Sequence, residues 1–190
     1  GGRTVQIEEE PLRIVSGYYI SSSICIALGL ADRLAGIETG AAKRNIYALS
    51  QPGLLDIPDV GSAKAFDLEG CVSLEPDLVI LPLRLSDAAD TLALLGIDTI
   101  LVNPENHELL MSAVELIGQA AGVPARSKQL LDYYGEKLEF IESLGEGPNK
   151  PTVYLAGNSS YLTCAPGGMY QSSLITTAGG ANAAVSLPGA

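Results

Sequence analysis

Four tyrosines and three basic side chains stand just beyond segments that read as buried strands. Tyr18 and Tyr19 follow residues 12–17, and Lys43, Arg44 and Tyr47 follow residues 35–38. Arg84 follows residues 78–81, and Tyr161 follows residues 152–156. Open α/β sheets form their ligand crevice at the carboxyl ends of strands, so these seven positions are candidate ligand contacts. Tyrosine offers a flat apolar face with a hydroxyl handle, and guanidinium pairs with carboxylates or catecholates. Together they suit a bulky anionic ligand. Each tyrosine alone fits a half-buried structural role equally well, and Lys43 with Arg44 fits a solvated pair on an acidic protein.

A different chemistry sits at Glu69. Asp67-Leu-Glu69 opens a short helix, where the helix dipole favours negative charge and a fixed carboxylate can accept a bidentate arginine. The plainer reading of Glu69 is dipole complementation alone. His107, the only histidine, lies in Asn103-Pro-Glu-Asn-His-Glu108 at a helix entry, which fits a surface or capping role. Cys25, Cys71 and Cys164 are widely spaced and form no CxxC pair, so they read as small core or surface thiols and not as zinc ligands. The chain carries no GxxxxGK[ST] loop, GxSxG elbow or HExxH motif. Enzyme readings fare poorly on these residues, and no catalytic residue or resident cofactor is assigned.

The 190-residue chain is 47% hydrophobic and 17% charged, with net charge −11. Its mean hydropathy is +0.25 and its pI about 4.4. That is enough apolar sequence for a packed core. The acidity argues against nucleic acid, which needs clustered Lys and Arg. No run of about 18 uncharged apolar residues is present, so nothing spans a membrane as a helix. The first residues lack a basic, apolar leader pattern, which fits a cytoplasmic protein or a removed signal.

These residues need elements to position them. Residues 12–17 read as a first strand, 20–34 as a helix with Ser21 to Ser23 as N-cap hydroxyls, and 35–38 as a second strand. Residues 39–60 read as a long turn-rich loop, punctuated by Pro52-Gly53 and Pro58-Asp59. The helix headed by Asp67 is broken at Pro76-Asp77 and feeds the continuous apolar run Leu78 to Leu81, a strand covered on both faces. A helix over 86–95, a strand over 98–102 and a helix over 105–121 complete a parallel α/β pattern. Leu130, Tyr134, Leu138, Ile141 and Leu144 then mark one face of a helix about 20 residues long, stopped by the breakers at 145–149. A strand over 152–156 and a helix over 171–178 begin a second unit. The expected fold is α/β: a Rossmann-like first lobe over 1–122, a linking helix over 123–146, and the start of a second α/β lobe over 147–190. One strand and one helix cannot bury their own faces. The second lobe is therefore expected to be incomplete, and the chain a C-terminally truncated piece or one completed by a partner, with self-association as one outcome.

This plan resembles the substrate-binding proteins of ABC importers for iron–siderophore, haem and cobalamin, the class with a helical backbone between its lobes. The resemblance rests on Arg13-Ile-Val-Ser16 with residues 27–37, and on Val60-Gly-Ser62. It rests also on Phe66-Asp-Leu-Glu69 with Leu74-Glu-Pro-Asp-Leu-Val-Ile80, and on Ala178-Gly-Gly-Ala-Asn182. It implies an extracytoplasmic protein, periplasmic or lipid-anchored, whose signal segment is absent from this chain. Its ligand would be a ferric siderophore, haem or corrinoid bound between two lobes, and its partner an ABC permease contacted through Glu69. Family members often carry Ser-Pro where this chain has Tyr18-Tyr19, which leaves the ligand class open. The alternative is an α/β enzyme or cluster-binding protein of the same two-lobe plan; Cys71 in mid-helix counts against it.

Overall fold

Short apolar runs, such as Ile14-Val15 and Leu78 to Leu81, each ended by a polar residue or proline, dictate short parallel strands. The computed structural model describes residues 2, 4–157 and 160–187. Two compact units form: one from the residues up to Pro104 with Met111–Leu130, the other from Glu105–Leu110 with Leu131 onward. In chain order the first unit begins with β1 (Ile14–Ser16), α1 (Tyr19–Ala27), β2 (Leu34–Ile37) and α2 (Asn45–Ser50). There follow a hairpin of β3 (Gly61–Ser62) and β4 (Ala65–Phe66), then α3 (Leu68–Ser73), β5 (Leu78–Pro82), α4 (Ser86–Leu94) and β6 (Asp98–Val102).

The main sheet has the order β2-β1-β5-β6 and is parallel throughout. β5 is buried at all five positions. Its register sets Leu78 opposite Ile14 on one side and Asp98 on the other. Val15, Val79, Leu81 and Leu101 pack with Val60, Cys71, Ala89 and Leu92 in one continuous core. The chain builds outward from β1 to β2, then crosses to β5 on the other side of β1. That reversal is a topological switch point, where ligands bind in open parallel sheets.

Three expectations for the first unit need correction. The helix expected over 20–34 ends at Ala27 because Gly29 takes a left-handed φ of +74°. The Leu30 amide then bonds back to Cys25 O and the Gly29 amide to Ile26 O, a Schellman stop. Leu34, read as helical, starts β2 instead. The expected N-cap serines lie inside α1, whose N-cap is Tyr18 with no side-chain bond. The loop expected over 39–60 holds 3-10 turns at Ala41–Lys43 and Pro52–Leu55 around α2, pinned by buried Tyr47 and Leu54. By contrast, Asp67 caps α3 through Gly70 N, and Glu75 with φ +48° ends that segment ahead of Pro76.

The remaining helices are α5 (His107–Ala120) and α6 (Pro124–Leu144), the second 21 residues long, and α7 (Tyr170–Thr177). In the second unit β7 (Thr152–Val153) pairs in parallel with β8 (Ala181–Asn182). The strand expected over 152–156 thus stops at two residues, and Tyr154 and Leu155 are exposed. Buried Asn182 fixes this unit locally, its Nδ2 donating to Ala165 O and Ser172 Oγ at 2.9 Å each. The stripe on α6 is half-buried at Leu130, Tyr134 and Leu138 but exposed at Ile141 and Leu144. No helix among the described residues is long and apolar enough to cross a membrane.

Candidate functional site

Three strand ends at the switch point deliver side chains to one pocket of about 240 Å³ in the first unit. β1 hands the chain to Gly17, Tyr18 and Tyr19, and β2 to Glu38, Thr39 and Arg44. Arg84 comes from the 3-10 turn directly after β5. Ser62, Ala63 and Lys64 come from the β3–β4 hairpin. That hairpin is tied down beside β2. Asp59 Oδ1 accepts from Thr39 Oγ1 and from the Gly61 amide, both at 2.7 Å, and the Thr39 amide donates to Gly61 O at 2.7 Å. Only glycine fits at 61, since φ is +84° and a methyl there would lie 2.2 Å from Ala65 O.

Tyr18 is buried and Tyr19 exposed, their rings edge to face with centroids 5.0 Å apart. The Arg44 guanidinium carbon lies 4.4 Å from the Tyr19 ring centre, and that of Arg84 lies 5.9 Å from the Tyr18 ring centre. Both distances fall in the range where a cation is attracted to the ring face. The pocket lining holds three cations, Arg44, Lys64 and Arg84, and one carboxylate, Glu38. The pocket is cationic in a protein of net charge −11.

Glu38 is 5% exposed and well satisfied. Ser22 Oγ donates to its Oε2 at 2.5 Å, the Tyr47 hydroxyl to Oε1 at 2.9 Å, and Arg44 Nε to Oε1 at 3.2 Å. The Tyr47 hydroxyl also lies 3.0 Å from Tyr19 O, so one proton serves two acceptors. Burial, with the Glu38 charge beside it, pushes the Tyr47 phenol from 10.0 up to about 12. Tyr47 thus remains a donor across the physiological range.

Among the seven ligand candidates from sequence, Tyr18, Tyr19, Arg44 and Arg84 come together here. Three do not. Tyr47 is fully buried and lies behind the pocket wall, where it bonds Glu38 instead of facing solvent. Lys43 is exposed on its 3-10 turn outside the wall. Tyr161 belongs to the second unit and is 77% exposed, its carbonyl accepting from the Tyr154 hydroxyl at 2.7 Å. Glu69 is exposed in the first turn of α3. Sequence reasoning missed Glu38 and Lys64. A carboxylate ending a buried strand, and a lysine at the tip of Ser62-Ala-Lys-Ala-Phe66, were the available signals.

His107 also departs from expectation. It is half-buried, with Nδ1 hydrogen-bonded to the Tyr134 hydroxyl and its ring centroid 5.4 Å from that of Tyr170. Asn106 is the capping residue, accepting from the Leu109 amide at 2.8 Å. Two larger hollows differ in chemistry from the pocket. One, of about 340 Å³, is lined by Val5, Ile7, Leu116 and neighbours without a charged group. The other, of about 560 Å³ in the second unit, is wide open and mixes Glu142 and Glu146 with Lys150. Neither stands at the strand ends, where convergent polar groups define a site.

A parallel sheet with a cationic, tyrosine-lined pocket at its switch point places the chain among open α/β proteins with a candidate ligand site. The model for the periplasmic binding protein family matches residues 14–188, and the chain belongs to that family. It is 25% identical over 177 residues to YvrC, an uncharacterized ABC transporter substrate-binding lipoprotein of Bacillus subtilis (strain 168). That match covers 83% of this chain and 54% of the relative, so the chain spans about half the relative's length. A periplasmic solute binding protein of Veillonella parvula DSM 2008 superposes with a TM-score of 0.84 at 25% identity, over 100% of this chain and 60% of the other. The periplasmic haem-binding protein HutB of Vibrio cholerae shares the fold, with a TM-score of 0.75 at 19% identity over 91% of this chain and 66% of its own.

Proposed function

We propose that this chain is part of the extracytoplasmic substrate-binding component of an ABC importer. Its ligand is a metal chelate, a ferric siderophore, haem or a corrinoid, and the cations of the pocket favour those that carry oxyanions. The observation that carries this reading is the cluster of Arg44, Lys64 and Arg84 around Tyr18 and Tyr19, which meet edge to face, at the sheet's switch point. Arginine forks pair with carboxylate or catecholate oxygens, and Tyr19, 42% exposed, offers aromatic surface to a ring system. Family membership and the likeness to the lipoprotein YvrC support transport and an envelope location. Glu69 is the permease-docking residue in this reading: an exposed carboxylate, aimed by a helix start and apart from the ligand pocket.

Calorimetric titration with a ferric catecholate, a ferric hydroxamate, haemin and cobinamide, at low and high salt, tests the proposal. One of these is expected to bind, more weakly at high salt, and to lose affinity in Arg44→Ala and Arg84→Ala. Binding of none, or binding indifferent to both substitutions, would overturn it.

A further inference from the structure

Arg44 is the pocket cation with the most defined position. Its Nε donates to Glu38 Oε1 at 3.2 Å and its guanidinium carbon lies 4.4 Å from the Tyr19 ring centre. No other partner for its two terminal nitrogens occurs among the described residues. Arginine normally loses substantial rotamer freedom when it binds an anion, and fixing it beforehand removes that cost from binding. The fixture here is layered. Glu38 touches Arg44, and Ser22 and Tyr47 hold Glu38 from the buried side. Ser16 Oγ lies 2.8 Å from Ser22 Oγ, which extends the chain of hydroxyls back to the end of β1. A carboxylate in a pocket for anions otherwise opposes binding by like-charge repulsion, so its presence calls for a compensating role.

We propose that Glu38 is a positioning residue, which holds Arg44 against Tyr19 so that the terminal guanidinium nitrogens meet an incoming anion already ordered. This deepens and rests on the reading of the pocket as an anion site. The residue contacts the ligand through Arg44, and Ser22 and Tyr47 set the carboxylate that does so. The ligand class that follows is an oxyanion-bearing chelate with a flat face. Its carboxylate or catecholate oxygens take the guanidinium fork while its ring system lies along Tyr19.

Two measurements on the whole chain test this. The first follows solvent exchange of the Arg44 Nε–H by nitrogen-15 NMR without ligand. It should be protected in the parent and lose protection in Glu38→Gln, with a smaller loss in Ser22→Ala should Glu38→Gln fail to fold. Equal protection in the parent and in either folded variant would overturn the proposal. The second measures haemin affinity in a cycle of Glu38→Gln and Arg44→Ala. Glu38→Gln should weaken binding roughly three- to tenfold in the parent, the scale of ordering one long side chain. It should change nothing beyond twofold when Arg44 is already alanine. Equal loss in both backgrounds would mark a merely structural role, and tighter binding in the parent would mark simple repulsion; each refutes positioning. Haemin that ignores the parent chain counts against the haem form of the anion-site reading, while the exchange measurement still decides the role of Glu38.

Discussion

Replacing Tyr47 by phenylalanine removes one oxygen from a completely buried side chain and tests the layer beneath the pocket. The hydroxyl donates toward Glu38 Oε1 at 2.9 Å and Tyr19 O at 3.0 Å. A hydrogen bond to a charged group contributes about 1.5–3 kcal/mol, so Tyr47→Phe should lose about 2 kcal/mol at pH 7. The alkaline limb supplies a second, sharper signature. In the unfolded chain the phenol titrates near 10, whereas in the fold it is pushed up to about 12. Between those values the unfolded state has released the proton and the folded state has kept it. The unfolded state then binds fewer protons, so stability falls as pH rises through the window. Two units at 1.36 kcal/mol each bound the loss at roughly 2.7 kcal/mol, and the nearby open pocket reduces it to about 2. Phenylalanine has no such titration. Urea unfolding of both proteins from pH 7 to 11.5 should show a gap of about 2 kcal/mol that narrows steadily above pH 10. Cys25 and Cys71 titrate in both proteins and cancel in the difference. A variant as stable as the parent at pH 7, or a gap independent of pH, would refute the reasoning.

Other substitutions reach other parts of the molecule. Gly61→Ala places a methyl 2.2 Å from Ala65 O at φ +84° and should cost about 1–3 kcal/mol by chemical denaturation, together with chelate affinity, because the hairpin carrying Lys64 must shift. Asp67→Ala removes the α3 cap and should cost about 1 kcal/mol in the same assay. Burial pushes Cys25 up to about 12, and burial with the nearby Asp67 charge pushes Cys71 up to about 11, so half-buried Cys164 should be labelled first by a thiol reagent at pH 8, as read by mass spectrometry. Glu69→Arg should abolish ligand uptake through the cognate permease while leaving affinity in solution unchanged; a parallel loss of both would remove the docking role.

Sequence legibility followed the strength of local signals. Leu78 to Pro82 was readable because a strand covered on both faces is apolar throughout, and Asp98 to Val102 because it ends in the apolar, β-branched-rich run Ile100-Leu-Val102. Pro124 to Leu144 was readable because proline opens it and Gly145 closes it. α1 was overextended because apolar spacing runs on through Leu34, while the left-handed Gly29 that ends it resembles any other glycine in sequence. Ser22 was read as a cap from its type alone; its partner is Glu38, 16 residues away, and nothing local announces such a bond. Strand-end logic found Tyr18, Tyr19, Arg44 and Arg84 but could not sort Lys43 from Arg44, since one step along a 3-10 turn separates solvent from pocket. Lys64 escaped because it arrives on a hairpin held by Asp59, a contact made only in three dimensions.

The most direct test of the pocket uses the metal of the proposed ligand. High-spin iron in a bound ferric catecholate or haemin broadens nearby amide NMR signals in a distance-dependent way. Selective broadening is expected at Gly17, Tyr18, Tyr19, Lys64 and Arg84, abolished by Arg44→Ala with Arg84→Ala. Amides at the opposite strand ends, such as Arg13, Leu78 and Asp98, should stay sharp. Broadening centred on those amides, or on the hollow lined by Val5 and Ile7, would contradict the assignment of the switch-point pocket as the chelate site.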